Sequence, residues 1–188
     1  MRKVRLGMNV SLDGYVAGPH GELDWIFRSM DPAQLQWITE FLRGIDTVLI
    51  GRVTYLEQAA TWPRQRGELA DLLNGHTKVV FGSGLETPTW NNSRLAIGSP
   101  AEEIARLKQQ PGKDIYVTGG ARLAQSLSRA GLIDEYNITV RPVALGSGLP
   151  LFTALAEPLD LALTSTRIYD TGAIALTYQW ATPASSYL

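Results

Sequence analysis

The chain has 188 residues, of which 45% are hydrophobic and 19% are charged. This composition is typical of a globular protein with a sizeable core, and we expect one domain over residues 1–188. The 17 Lys and Arg side chains nearly balance the 18 Asp and Glu, and the net charge of -1 argues against nucleic-acid binding. No cysteine is present and the two histidines lack metal-ligand spacing, so we expect no metal site. No apolar run approaches the length of a membrane span, and we expect a cytoplasmic protein without a membrane partner.

Strand and helix patterns alternate along the chain. The predicted strands are Val4–Val10, Thr47–Ile50, Lys78–Phe81, Arg94–Ile97, Ile115–Thr118, Glu135–Val140, Leu159–Arg167 and Ala173–Trp180. The predicted helices are Asp31–Arg43, Val53–Ala60, Glu68–Asn74, Ser99–Lys108 and Arg122–Arg129, and Ser11–Glu22 is predicted to be a loop. This order indicates an α/β fold with a mostly parallel central sheet, closed by an antiparallel C-terminal hairpin.

Three of the predicted strands end in small residues that lead into a helix or a loop. The segments are Ile50–Thr54, Phe81–Gly84 and Thr118–Leu123. Glycine lets a backbone approach a ligand closely, and a helix start offers free N–H groups at the positive end of its dipole. Because the carboxyl ends of parallel strands share one edge of a sheet, the three segments together suit a polyanionic dinucleotide. The alternative is that each is a plain turn between a strand and the next element.

Arg52 and Arg122 each stand beside a predicted helix start. Arginine binds phosphate through two parallel hydrogen bonds, so both side chains are candidates for a 2′-phosphate, which implies NADPH rather than NADH. The alternative is that each arginine only solvates its helix, although a cation is disfavoured near the positive dipole end. The candidate cofactor residues at these ends are Gly51, Arg52, Val53, Thr54, Ser83, Gly119, Gly120, Ala121, Arg122 and Leu123.

Several segments resemble one known family. Ile50–Glu57 and Thr118–Leu123 resemble the two cofactor-binding helix entries of the dihydrofolate reductase superfamily. Met8–Gly18 resembles the S-L-D-G opening of the riboflavin-pathway reductase domain, the C-terminal half of the bacterial bifunctional deaminase–reductase. Leu132–Tyr136 and Pro142–Gly148 match the same branch. The resemblance extends over nearly the whole chain and indicates a stand-alone member of that branch, without a deaminase half.

The resemblance implies a three-layer dihydrofolate reductase-like fold and NADPH as cofactor. It implies hydride transfer to a small heterocyclic substrate, similar to the 5-amino-6-(5-phosphoribosylamino)uracil reductase step of riboflavin biosynthesis. Backbone groups of Val16 and Ala17 would face the nicotinamide, and the bond between Gly119 and Gly120 would be cis. Homodimers occur in that branch, so a homodimer is possible here. The chain lacks the lysine before S-L-D-G and the D-P-x-L-T-V-R segment that the riboflavin enzymes usually carry.

The substrate end has fewer candidates. Asp24 is the nearest counterpart of the helix-borne acid of dihydrofolate reductases, and it would deliver a proton if burial near Trp25 raised its pKa. The alternative for Asp24 is a simple solvated acid. Trp25 and Trp62 lie in loop-like segments and could wall a substrate pocket, with ordinary packing as the alternative. Asp13 stands in an Asp-Gly turn signature, which favours a turn role.

Two other functions remain open from the sequence. The chain could be a non-catalytic nucleotide-binding module that kept the fold without the chemistry, or a true dihydrofolate reductase. Oxidation of bound NADPH by a panel of small heterocycles separates the first from an enzyme, and dihydrofolate turnover tests the second.

Overall fold

A computed structural model of the chain describes residues 1–181. In chain order its elements are β1 (Val4–Ser11), β2 (Tyr15–Ala17), α1 (Asp24–Phe27), α2 (Pro32–Arg43), β3 (Ile45–Gly51), α3 (Arg52–Thr61), a 3₁₀ turn (Trp62–Arg64), α4 (Glu68–Gly75), β4 (Thr77–Phe81), β5 (Ser93–Leu95), α5 (Pro100–Gln109), β6 (Asp114–Thr118), α6 (Ala121–Arg129), β7 (Glu135–Arg141), β8 (Leu149–Pro150), β9 (Leu161–Ile168) and β10 (Ile174–Trp180). Positions 182–188 of the expected domain lie outside the described residues.

Eight strands form one sheet in the order β5-β4-β3-β6-β1-β7-β10-β9. The first six strands of this order are parallel to one another, and β10 runs antiparallel to both β7 and β9. The predicted α/β fold is therefore confirmed, with its parallel centre and its antiparallel C-terminal hairpin. Within residues 1–181 no helix combines the length and the apolar content needed to cross a bilayer.

Apolar side chains cover both faces of the sheet and give the fold its three layers. On one face, Leu6 and Val117 pack with Leu127 of α6 in a cluster that also includes α5. On the other face, Ile50 and Val80 pack in a cluster that includes residues of α2, α3 and α4. We call these the α5–α6 face and the α2–α4 face. Because both faces are covered, the central strands are apolar at successive positions rather than at alternate ones.

Helix starts follow the cap signals of the sequence. The Asp31 carboxylate accepts a hydrogen bond of 2.8 Å from the Gln34 amide at the start of α2. At the start of α5, Ser99 and Glu102 form the reciprocal capping box. Each pair satisfies amide groups that the first helical turn leaves without partners.

The predicted loop Ser11–Glu22 is partly wrong, because it contains strand β2. This strand pairs antiparallel with β8, which lies more than a hundred residues further along the chain. Strands as short as β2 and β8 carry no alternation that a sequence pattern could detect, and they form only where the tertiary fold brings them together. The short helix α1 was not predicted either, because its four residues are too few for a sequence pattern to detect.

Glu103 of α5 is a fully buried carboxylate with three hydrogen-bonding partners. The guanidinium of Arg94 donates to it from β5, that of Arg106 donates from the next turn at 2.6 Å, and the Ile97 amide donates at 2.9 Å. Burial raises the pKa of Glu103, but the hydrogen bonds from Arg94, Ile97 and Arg106 outweigh it and lower the pKa to about 2. Glu103 therefore ties α5 to the edge strand β5.

We expect Glu103→Gln to lower the free energy of unfolding by about 3 kcal/mol, the lower end for breaking a buried ion pair, because both arginines stay partly solvated. The carboxylate has a pKa of about 2 when folded, against an ordinary value of 4.5. Its stabilising effect is therefore complete above the ordinary value and is lost as the pH falls toward the folded pKa, so the difference from the wild type shrinks in acid.

Urea unfolding of both proteins at neutral pH and in acid measures this difference. Glu57→Gln, the same change on the exposed surface of α3, is the control. A loss of stability in Glu103→Gln no larger than in Glu57→Gln would contradict the assignment.

Candidate functional site

Three strand ends meet at one edge of the sheet. Gly51 at the end of β3 lies opposite Phe81 at the end of β4. On the other side of β3, Leu49 lies opposite Val117. Gly51 and Gly119 each follow that pair by two residues, so they leave the sheet side by side. We call the groove beyond Gly51–Thr54, Gly82–Ser83 and Gly119–Leu123 the strand-end crevice.

Close contacts across these segments confirm that they form one crevice. A Cβ atom built on Gly82 would lie 3.1 Å from the Cβ of Arg52, and one built on Gly51 would lie 3.9 Å from the Cβ of Leu123. The turn after β4, the start of α3 and the start of α6 are thus in contact with one another. Ser83 is exposed directly after Gly82.

The Gly119–Gly120 turn is shaped by Thr54 of α3. Both glycines have positive φ, 49° and 77°. A Cβ at Gly119 would lie 2.9 Å from the Thr54 Cγ2, and a Cβ at Gly120 would lie 3.1 Å from the Thr54 Oγ1. A side chain is therefore excluded at Gly119 and strained at Gly120. The peptide bond between them is trans, in contrast to the cis bond that the family resemblance implies.

Both helix starts leave backbone amide groups free at the crevice. No side chain caps α3, whose N-cap is Gly51, or α6, whose N-cap is Gly120. In α6 the Leu123 amide donates to the Gly120 carbonyl oxygen, which leaves the preceding amides of Ala121 and Arg122 as the free donors. The Leu123 side chain is buried in the core. Leu123 therefore packs behind the crevice instead of facing it.

The crevice carries positive charge that nothing in the described chain neutralises. Arg52 is half-buried and Arg122 is exposed, and among residues 1–181 neither guanidinium forms an ion pair. These two cations add to the partial positive charge of two helix N-termini, where a cation is intrinsically disfavoured. An anion bound between them would relieve both costs. Val53 and Thr54 follow Arg52 in the first turn of α3, with Val53 exposed.

The segment after β1 is held by Asp13. Its carboxylate accepts hydrogen bonds from the Ser11 hydroxyl at 2.6 Å and from the Gly146 and Leu145 amides at 2.7 Å and 3.1 Å. The hydrogen bond from Ser11 is the largest of the effects that lower the pKa of Asp13 to about 2. Asp13 thus joins the turn after β1 to the loop after β7, which agrees with the turn role favoured by the sequence.

Val16 and Ala17 form strand β2 beside this turn. Both side chains are buried, and that of Val16 packs in the core of the α5–α6 face. Any contact that these two residues make with a ligand must therefore come from their backbone groups, as the family resemblance implies.

Asp24 does not have the environment expected for a proton donor. Its side chain is 69% exposed and accepts a hydrogen bond of 2.7 Å from Arg28, one turn further along. The expected burial of this carboxylate near Trp25 is wrong, because Asp24 lies on the solvent side of α1 while Trp25 points inward. In this geometry Asp24 is a solvated, ion-paired acid.

The two tryptophans proposed for a substrate wall are packing residues in this geometry. Trp25 is buried and its indole donates a hydrogen bond of 3.0 Å to the Glu22 carbonyl oxygen. Trp62 follows the C-terminal end of α3, and ten helical residues place it about 15 Å from Gly51 at the other end. It packs in the core of the α2–α4 face. The prediction that Trp62 borders the site is therefore not supported.

A buried polar cluster at the ends of β1 and β7 was not predicted from the sequence. Arg141 is fully buried, and its guanidinium donates to the Asn9 Oδ1 at 2.9 Å, the Gln34 Oε1 at 2.8 Å and the Ser29 carbonyl oxygen at 2.8 Å. Burial lowers the pKa of Arg141. A signal was present in the sequence, because Asn137, Thr139 and Arg141 alternate with the apolar residues of β7 and place polar groups on a covered face.

Comparison with known proteins agrees with the fold. The chain is 34% identical to the uncharacterized protein YyaP of Bacillus subtilis, over 95% of both chains. A crystal structure of a protein from Shewanella sp. PV-4, assigned to riboflavin biosynthesis, superposes with a TM-score of 0.79 at 25% identity and covers 97% of this chain and 100% of that one.

Two further structures share the fold at lower identity. The deaminase and 5-amino-6-(5-phosphoribosylamino)uracil reductase of Thermotoga maritima has a TM-score of 0.68 at 15% identity, over 96% of this chain and 57% of that one. A dihydrofolate reductase of Enterococcus faecalis, in complex with NADP(H) and RAB-propyl, has a TM-score of 0.64 at 16% identity, over 96% of this chain and 97% of that one. At such identities these two show the fold alone.

A family model places the chain more specifically. The model of the RibD C-terminal domain matches residues 2–175, which include every segment of the strand-end crevice. Together with the identity to YyaP, this match shows that the chain belongs to the RibD C-terminal domain family.

Proposed function

We propose that this chain is an NADPH-dependent reductase that transfers a hydride to a small heterocyclic substrate, similar to the uracil reductase of riboflavin biosynthesis. The observation that carries the proposal is the strand-end crevice, where three turns, two uncapped helix starts and two arginines without ion pairs converge. The reductase activity and the NADP(H) complex named for the two structures of the same fold support it. We place this activity in the cytoplasm.

The residues of the crevice fit a dinucleotide with an additional phosphate. The free amides at the starts of α3 and α6 would bind the diphosphate, and the positive φ of Gly119 and Gly120 lets the backbone approach it. Arg52 and Arg122 would hold the 2′-phosphate, and the exposed Ser83 hydroxyl offers a further hydrogen bond. Backbone groups of Val16 and Ala17 would meet the nicotinamide.

When bound, NADPH would supply a hydride for the reduction of a C=N or C=O carbon. The chain would position the acceptor carbon and exclude water around it. Asp24, exposed and ion-paired with Arg28, is not placed to deliver the proton, so the proton would come from solvent water.

A non-catalytic nucleotide-binding module is the second candidate, favoured by the exposed position of Asp24. Mixing the NADPH-loaded protein with pteridines, pyrimidine ribitol-type compounds and quinones separates the two functions. Oxidation of NADPH by any of them supports the reductase, and binding without oxidation by the whole panel supports the module. Dihydrofolate belongs in the same panel and tests for a dihydrofolate reductase.

We expect NADPH to quench the tryptophan fluorescence of the protein on binding, and Arg52→Ala to weaken this binding by about 1.5–3 kcal/mol, the range for hydrogen bonds to charged groups. NADH lacks the 2′-phosphate, so its affinity should change much less. Fluorescence titration of the wild type and the variant with both cofactors gives the four dissociation constants.

Arg64→Ala removes an exposed arginine beyond the far end of α3 and serves as the matched control, with no expected change. Equal losses for NADPH and NADH in Arg52→Ala would contradict the 2′-phosphate role. No quenching by NADPH in the wild type would contradict the proposed function itself.

The outer edge of the sheet suits contact with a second copy of the chain. Along β9, Leu163 and Ile168 are exposed, and on β10 Trp180 is also exposed. Leu163 pairs with Tyr178 and Leu161 pairs with Trp180, so the exposed side chains extend the apolar α5–α6 face beyond the core. Unprotected edge strands with apolar side chains favour pairing with another chain. We propose a homodimer through this stripe.

Light scattering after size-exclusion chromatography should therefore give twice the 20.6 kDa chain mass. Leu163→Lys should convert the dimer to a monomer, because a charge would be buried at the contact. Ala162→Lys, a change at the neighbouring exposed position on the opposite face, should leave the dimer intact. A wild-type monomer would overturn this part of the proposal.

A further inference from the structure

A further pocket lies at the opposite end of the sheet from the strand-end crevice. It opens beside the amino ends of β3 and β4, where Ile45 and His76 line it. Strand β3 runs from Ile45 to Gly51, which at about 3.3 Å per residue places the pocket about 20 Å from the crevice. Its volume is about 540 Å³, enough for a small organic molecule. We call it the amino-end pocket.

One side of the amino-end pocket is a stripe along α4. Glu68, Asp71 and Leu72 line it, and spacings of three and four residues place them on the same face of the helix. From Glu68 to the end of α4 the stripe extends about 10 Å, at 1.5 Å per residue. The start of β3 adds Ile45 and Asp46. A ligand that lies along α4 would therefore meet both carboxylates and apolar side chains.

The carboxylates on α4 keep oxygen atoms free for a ligand. Asp71 is exposed, and among residues 1–181 it takes part in no ion pair. Glu68 meets the guanidinium of Arg43 through its Oε1 alone, which lies 2.8 Å from the Arg43 Nε. The Oε2 of Glu68 has no hydrogen-bonding partner in the same part of the chain. Both side chains can thus accept hydrogen bonds from a bound molecule.

The surface of the pocket carries more negative than positive charge. The carboxylates of Asp46, Glu68 and Asp71 line it, and the ammonium of Lys113 is the cation that faces them. The Lys113 Nζ is already engaged, because it donates to the Arg43 carbonyl oxygen at 2.7 Å. The guanidinium groups that pair with Asp46 and Glu68 contact these carboxylates from outside the pocket. A cation with N–H groups is therefore the favoured ligand.

His76 follows α4 at the end of the stripe, and its imidazole has no hydrogen-bonding partner within residues 1–181. The residue is only 7% exposed. Its Nδ1 is closed off from solvent and unpartnered. Its Nε2 also makes no hydrogen bond in this part of the chain, but it is not closed off. Because His76 lines the amino-end pocket and is otherwise buried, Nε2 meets solvent in that pocket.

The state of His76 indicates what it could bind. Burial and the nearby ammonium of Lys78 lower the pKa of His76 below its ordinary value of 6.5, so the imidazole is neutral at neutral pH. A neutral imidazole has one nitrogen that accepts a hydrogen bond. Burying a polar ring without partners is costly, and a phenylalanine would avoid that cost. A ligand N–H at the accessible nitrogen would supply a partner.

We propose that the amino-end pocket binds a linear polyamine that lies along α4. Its ammonium groups donate hydrogen bonds to Glu68, Asp71 and the Nε2 of His76, and its methylene groups contact Leu72 and Ile45. A polyamine suits the pocket because ammonium groups and methylene segments alternate along it, as carboxylates and apolar side chains alternate along the stripe. The site lies at the opposite end of the sheet from the crevice and does not depend on the proposed function.

The probe is spermidine, and its fully N-methylated quaternary analogue is the comparison. Both carry the same positive charge, but the analogue has no N–H group to donate. Calorimetric titration of the NADPH-free wild type at neutral pH should give about tenfold tighter binding of spermidine, the value of one hydrogen bond that involves a charged group. Attraction by charge alone would give no such preference.

The decisive variant is His76→Phe, which keeps a flat ring and removes the acceptor nitrogen. It should resist urea at least as well as the wild type, because no buried nitrogen is left without a partner. Spermidine should bind about tenfold more weakly to this variant, while the affinity of the analogue stays the same. The preference for spermidine should therefore fall toward unity. A merely structural histidine would change both affinities by the same factor.

A second variant, Asp71→Asn, tests the carboxylates on α4. The side chain is exposed, so the change does not endanger folding. It removes a charge that attracts both amines, and both should bind about threefold more weakly, as expected for an exposed ion pair, with the preference unchanged. Asp160→Asn, the same change at an exposed residue outside the pocket, is the matched control and should alter neither affinity.

Several results would overturn the inference. They are no binding of spermidine to the wild type, equal binding of spermidine and its analogue, and an unchanged preference in His76→Phe. A loss of affinity in Asp160→Asn as large as that in Asp71→Asn would also overturn it, since it would show unspecific attraction by surface charge. If His76→Phe did not fold, the preference of the wild type and the comparison of the two aspartate variants would still decide. None of these titrations requires NADPH, so their failure and that of the proposed function are distinguishable.

Discussion

The contact between Thr54 and the two glycines at positions 119 and 120 is the constraint on which the crevice depends. Helices α3 and α6 begin after neighbouring strands, so their N-termini can face one groove only if the turns before them approach closely. The approach leaves no room for a Cβ at Gly119 and little at Gly120. Two helix starts with free amides are thereby directed to the same place, and the backbone alone creates a site for negative charge.

Much of this architecture could be predicted because its signals are local. Alternating strand and helix patterns gave the parallel sheet, and glycines at strand ends predicted the crevice, since parallel strands end at a common edge. The caps at Asp31 and Ser99 could be recognised from a few adjacent residues. Strand β2 could not, because its three residues form a strand only against β8, and no local pattern carries that pairing.

Side-chain environments were less predictable than backbone turns. The acid Asp24 looked like a candidate from its position beside Trp25, yet adjacent residues on a short helix point in different directions, and Asp24 faces solvent. Arg141, in contrast, was not recognised as a buried residue, and its partner Gln34 lies 107 residues away in sequence. A buried charge can be recognised only when the elements that cover it are known, and this requires the tertiary structure.

Glu103 and Arg141, both fully buried, show how differently such charges are accommodated. Glu103 holds two arginines and a backbone amide, which is the arrangement expected of a structural carboxylate. Among residues 1–181, Arg141 has only neutral hydrogen-bonding partners, and the carboxylate of Asp31 acts on it from beyond ion-pair distance. The glycine turns of the crevice are backbone features fixed by adjacent residues, so they could be predicted from the sequence, whereas the environment of Arg141 depends on elements that are distant along the chain.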